Sequence, residues 1–140
     1  MIHKRMHHVG IIMPTEDDVW NLMNLYGLEL DCKGETPYEC RYYFTKMNAA
    51  YSDSPIEFLV AQGGPLKDFN HGKGGIHHIC FEVDDIDKTC EELRAKGLLL
   101  LENECKISDK TMKINFVRPK SSHGILVEFM QIVNKGAGND

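Results

Sequence analysis

Two histidine pairs and two isolated glutamates stand at matching places in this chain of 140 residues. His7-His8 opens the apolar run Val9-Gly10-Ile11, and His77-His78 opens Ile79-Cys80-Phe81. Glu57 lies between Ile56 and Phe58, and Glu128 between Val127 and Phe129, each roughly 50 residues after its histidine pair. Two imidazole nitrogens with two carboxylate oxygens suit one borderline divalent ion, Mn, Fe, Co, Ni or Zn, and leave positions open if the ion is six-coordinate. Open positions accept two oxygens of a substrate and stabilise negative charge that develops on them, which eases removal of a proton next to a carbonyl.

A single carboxylate in an apolar strand ordinarily faces water on the outer side. Two that are equivalent under a repeat, each following an equivalent histidine pair, point to a shared role. Successive strand side chains alternate between faces, so only one histidine of each pair faces a given side. Periodicity leaves open which one.

The elements that must carry these residues repeat as well. His78 follows His8 by 70 residues and Gly97 follows Gly27 by 70, while Glu128 follows Glu57 by 71, one residue of drift in a loop. The segment from Thr15 to Tyr26 begins with a capping residue, has Asp17 and Asp18 in its first turn, and places Val19, Leu22, Met23 and Tyr26 on one face. It predicts an amphipathic helix. Asp84 or Asp85 caps a second helix with Ile86, Cys90 and Leu93 as its buried stripe, stopped by Gly97. Extended segments follow each helix: Leu28 to Cys32, Glu39 to Met47 and Pro55 to Ala61, then Leu98 to Leu101, Met112 to Val117 and Gly124 to Ile132.

The predicted class is therefore α+β, two βαβββ modules forming a curved mixed sheet around a metal-binding cleft, within a single domain spanning 1–140. Module 1 covers 1–62 and module 2 covers 76–133. Residues 63–75, with five glycines and Pro65, read as a linker, and 134–140 as a frayed tail.

Composition narrows the partners. A formal charge of -5 disfavours nucleic acid and leaves small molecules. The longest aliphatic run, Leu98 to Leu101, is far below the roughly 20 apolar residues of a membrane helix, and the N-terminus lacks an apolar signal core, so a cytoplasmic location is expected. Five cysteines without a Cys-x-x-Cys pair read as reduced structural thiols. Lys106, Lys110, Lys113, Arg118 and Lys120 read as a solvated basic face, with a local anion patch as the alternative. His71 and His123 are expected in loops, and Trp20 and Tyr26 packed on the sheet.

These motifs also carry a resemblance. His7-His8-Val9-Gly10-Ile11, Gly75-Ile76-His77-His78-Ile79-Cys80-Phe81-Glu82-Val83-Asp84-Asp85-Ile86, and Asn115-Phe116-Val117-Arg118-Pro119-Lys120 through Gly124-Ile125-Leu126-Val127-Glu128 resemble the vicinal oxygen chelate superfamily, also called the glyoxalase/bleomycin-resistance superfamily. Within it the chain looks most like the methylmalonyl-CoA epimerase family. The resemblance implies metal ligands at His8, Glu57, His78 and Glu128, a substrate that is an acyl-CoA or another carbonyl compound, contacts to it from Asn115 and Lys120, and a homodimer. It implies an isomerase or lyase that removes a proton alpha to a carbonyl and chelates the enolate. The place near Tyr43, where some epimerases carry a proposed base, has no carboxylate, so Glu128 or Glu57 is the implied base. A glyoxalase I-like lyase shares the ligand set and is the alternative within this chemistry. An iron-dependent oxygen-activating enzyme needs one carboxylate fewer, and a bleomycin-resistance-type binding protein needs no metal.

Overall fold

The computed structural model describes residues 3–47 and 54–133. Eight strands and two α-helices follow one another as β1 (His3–Ile12), α1 (Glu16–Leu25), β2 (Leu30–Glu35), β3 (Cys40–Thr45), β4 (Ile56–Ala61), β5 (Gly75–Val83), α2 (Ile86–Ala95), β6 (Lys106–Ser108), β7 (Met112–Val117) and β8 (Val127–Ile132). The βαβββ pattern occurs twice, as the repeat predicts. The contacts divide into two units, residues 8–77 and residues 1–7 with 78–140. β1 and β5 each contribute residues to both units.

In residues 8–77 the strands run in the order β2-β3-β4-β1, with β1 parallel to β4 and the other pairs antiparallel. Thr15 caps α1 reciprocally: its hydroxyl accepts from the Asp18 amide at 3.2 Å while the Asp18 carboxylate accepts from the Thr15 amide at 3.1 Å. The helix buries Val19 and Met23 against Tyr43, Phe58 and Val60, with Trp20 and Leu22 at the margin. Tyr26, expected on that face, is instead 69% exposed, because the helix has already ended at Leu25 and Tyr26 is its C-cap. Between the modules, Pro65–Gly72 forms a 3-10 segment broken at Phe69, Asn70 and His71.

In the other unit the order is β5-β8-β7-β6, with β5 parallel to β8. The Asp85 side chain caps α2 through the Lys88 amide at 3.1 Å. Ile86, Cys90 and Leu93 pack on Val83, Val117, Val127 and Phe129. The strand expected over Leu98 to Leu101 is a single bridge, Leu100 to Val117, and the strand lies later, at β6. Side chains take the backbone groups just past this bridge. Arg94 donates to the carbonyls of Glu102 and Asn103 at 3.0 and 2.9 Å, and Asn115 holds both the amide and the carbonyl of Glu102. With those groups satisfied, the ladder need not continue there.

Among the described residues no helix is long and apolar enough to cross a membrane.

Gly74, at φ 74°, lies against the end of β1, where an added Cβ would sit 2.2 Å from the Ile12 carbonyl oxygen. Gly27 has a similar φ of 66° with nothing within 4 Å of an added Cβ. Gly27→Ala is expected to cost about 1 kcal/mol from backbone conformation alone, and Gly74→Ala at least about 2 kcal/mol from conformation plus collision. Urea denaturation measures both, and equal losses would show that the Ile12 peptide yields to the methyl group.

Candidate metal centre

Strand alternation sets the first pair. Phe58 and Val60 point into the apolar cluster under α1, so Glu57 takes the other face of β4. Gly10 and Phe44 are the register partners of Glu57 on the two neighbouring strands. Gly10 offers no side chain to stand in the way, and His8, two residues earlier, shares its face. His8 Nε2 lies 3.3 Å from Glu57 Oε1, with His8 1% and Glu57 7% exposed. The Phe44 ring meets the His8 ring nearly edge-on, centroids 5.1 Å apart.

The second pair is built the same way. Val127 and Phe129 pack under α2, which turns Glu128 to the opposite face of β8, with Cys80 and Phe116 as its register partners. His78 stands two residues before Cys80, and its Nε2 lies 3.0 Å from Glu128 Oε1, both residues being buried. The Phe116 ring meets the His78 ring at 87°, centroids 5.6 Å apart. The histidine question left open by periodicity thus has an answer in each unit: His8 and His78 face a carboxylate. His77 packs instead on Phe69, ring centroids 5.0 Å apart.

Each pair sets a buried imidazole nitrogen beside a buried carboxylate oxygen. Two carboxylates bring two negative charges and the imidazoles two neutral nitrogens, a donor set whose charge and softness fit a divalent borderline ion. Burying a carboxylate without such compensation is costly.

The remaining expected residues lie elsewhere. Asn115 is 1% exposed and occupies the α2 side of β7, opposite to Phe116. Its Oδ1 accepts from the Glu102 and Phe116 amides at 3.1 and 2.8 Å, and its Nδ2 donates to the Glu102 carbonyl at 3.0 Å. That amide is spent on holding the chain past Leu101. Lys120 is exposed in a 3-10 turn, Pro119–Ser121, that follows β7. Of the basic residues, Lys113 is paired with Asp87. His71 and His123 are exposed loop residues with positive φ, and Trp20 packs on Tyr43. None of the five cysteines forms a disulfide; Cys90 and Cys105 have their sulfurs 3.7 Å apart, and burial and then the Cys90 neighbour push Cys105 up to about 12.

Tyr43, the residue near the base position implied by resemblance, faces α1. Its hydroxyl donates to Glu16 Oε2 at 2.5 Å. Burial first, and then this hydrogen bond, push its phenol up to about 12, while the bond from Tyr43 holds the Glu16 carboxyl below its ordinary value. A phenol so placed stays protonated at neutral pH and is no base. Sequence reasoning missed Phe44 and Phe116; the available signal was their equivalence under the repeat, each the next aromatic strand residue upstream of a glutamate.

The family model described as the Glyoxalase/Bleomycin resistance protein/Dioxygenase superfamily matches residues 7–116. The chain belongs to that superfamily. Within it, the chain is 31% identical over 134 residues to an ethylmalonyl-CoA/methylmalonyl-CoA epimerase of Cereibacter sphaeroides, covering 91% of this chain and 98% of that one. It is 30% identical over 129 residues to the mitochondrial methylmalonyl-CoA epimerase of Dictyostelium discoideum, covering 89% of this chain and 76% of that one. The solved methylmalonyl-CoA epimerase of Mycobacterium tuberculosis shares the fold, with a TM-score of 0.85 at 23% identity over 96% of this chain and 92% of that one.

Two measurements test these assignments. The Tyr43 phenol is raised on folding, so between its ordinary pKa of 10.0 and about 12 the folded chain keeps a proton that the unfolded chain has lost. This stabilisation is whole below the lower value and fades as pH rises through the upper one. Ultraviolet titration of Tyr43→Phe should lack the late phenolate step seen in the parent, and an unchanged titration would refute the clamp. Asn115→Leu should lower stability by about 1–3 kcal/mol, the cost of leaving buried backbone groups unpaired, without altering metal content. Loss of substrate affinity at unchanged stability would make Asn115 a ligand contact instead.

Proposed function

We propose that the protein is a divalent-metal-dependent epimerase of methylmalonyl-CoA or a closely related 2-substituted malonyl thioester. The observation that carries this reading is the 31% identity to an ethylmalonyl-CoA/methylmalonyl-CoA epimerase over 98% of that enzyme's length, and the two buried histidine–glutamate pairs supply chemistry to match. His8, Glu57, His78 and Glu128 would hold one ion; in support, these four are the group of three or more potential ligands among the described residues. Bound there, the ion supplies positive charge that stabilises an enolate oxygen.

The chain's own part is to move the proton. Epimerisation removes the α-proton from one face of the carbon and returns one to the other, which two groups on opposite faces accomplish without reorienting the enolate. Glu57 and Glu128 are the carboxylates proposed for it: an Oε of one takes the proton, leaving the electron pair in the enolate, and a proton returned on the opposite face completes inversion. Tyr43 is not available for either role, since its proton is held against Glu16. Lys120, exposed and cationic, is proposed to meet an anionic part of the thioester. A homodimer and a cytoplasmic location are part of the same proposal.

The test is metal analysis of chelator-stripped and reconstituted protein, followed by α-proton exchange of methylmalonyl-CoA in deuterated buffer. One ion per chain and ion-dependent exchange are expected. Glu57→Gln and Glu128→Gln should each slow exchange by on the order of a hundredfold or more. Bound metal without exchange would refute the epimerase reading and favour the glyoxalase I-like alternative, and no bound metal would refute the metal site itself.

A further inference from the structure

Phe44 and Phe116 stand in the same relation to their halves of the repeat. Each is the register partner of its glutamate, Phe44 of Glu57 and Phe116 of Glu128. Each also lays its ring nearly perpendicular to the partner histidine, at 77° for His8 and 87° for His78. Each is buried, 5% and 8% exposed. One phenyl ring therefore meets the histidine of a pair from the position directly across from its glutamate, and this occurs in both units.

A perpendicular ring contact restricts imidazole rotation without offering a hydrogen-bond donor or acceptor to compete for its nitrogen. With the ring fixed on that side, Nε2 stays turned toward the carboxylate. The apolar wall also keeps water from the pair and strengthens its electrostatics. Partners that fix ligand orientation commonly govern affinity as strongly as they govern geometry.

We infer that Phe44 and Phe116 are positioning residues that set the imidazoles of His8 and His78 for metal binding, an inference that rests on the reading of those histidines as ligands. Phe58 and Phe129 provide the comparison. They are buried as well, Phe58 more fully than either, and lie next to the same glutamates in sequence, but they pack in the apolar clusters under α1 and α2.

The experiment measures cobalt(II) affinity by competition with a chelator, the visible absorption of the cobalt-loaded protein, and thermal stability. Phe44→Leu and Phe116→Leu should each weaken cobalt binding by about tenfold and shift or broaden the absorption bands. Phe44→Tyr and Phe116→Tyr, which retain the ring, should restore both. Phe58→Leu and Phe129→Leu should lower the melting temperature at least as much while leaving affinity and spectrum unchanged. If the parent binds cobalt and all four leucine variants bind it equally well, or lose affinity only in proportion to stability, this inference falls alone. If the parent binds no cobalt, the metal reading falls and takes the inference with it.

Discussion

A buried carboxylate requires compensation of its charge, and in this protein Glu57 and Glu128 are each buried beside an imidazole, 3.3 and 3.0 Å away, as a donor pair that a cation would complete. Desolvating an unpaired carboxylate costs several kcal/mol or more, so the strands around each pair are constrained to deliver the histidine as well as the glutamate. They do so through parallel pairing of the first and last strand of each module. Gly10 sits across from Glu57 and Cys80 across from Glu128, small residues in both cases, and each histidine stands two positions earlier. The helices serve the same end from the other side. By covering Phe58, Val60, Val127 and Phe129 they fix which face of each strand is apolar, and the alternate residue has only the opposite face left.

Much of this is legible in the sequence. The repeat, both helices and the final strand of each module follow from periodicity and capping, because Thr15 and Asp85 begin hydrogen-bonding patterns that are local in sequence. The pairing of histidine with glutamate followed from equivalence under the repeat. The choice between adjacent histidines did not: a two-residue alternation has no origin until something beyond the strand says which face is covered. His8 and His77 illustrate this, both in strands, one beside a glutamate and the other against Phe69.

What the sequence does not show depends on side-chain hydrogen bonds between distant residues. Leu98 to Leu101 has the composition of a strand, yet Arg94 and Asn115 satisfy the backbone that follows it, so regular pairing resumes only at Lys106. Asn115, a substrate contact implied by resemblance, has its amide engaged by the Glu102 backbone. Tyr43 has its hydroxyl bound to Glu16, 27 residues away. None of these bonds leaves a periodic trace.

The one-residue difference between the two histidine-to-glutamate spacings has a consequence for inheritance. The length from histidine to glutamate differs by one residue between the two modules, but a single residue gained or lost inside β4 or β8 would exchange the faces of Glu57 and Phe58, or of Glu128 and Phe129, in one event. Such a lineage would place a phenyl ring against the imidazole and a charge beneath a helix. The connections between strands can therefore record the divergence of the copies in their lengths, while the strands can record it only in substitutions.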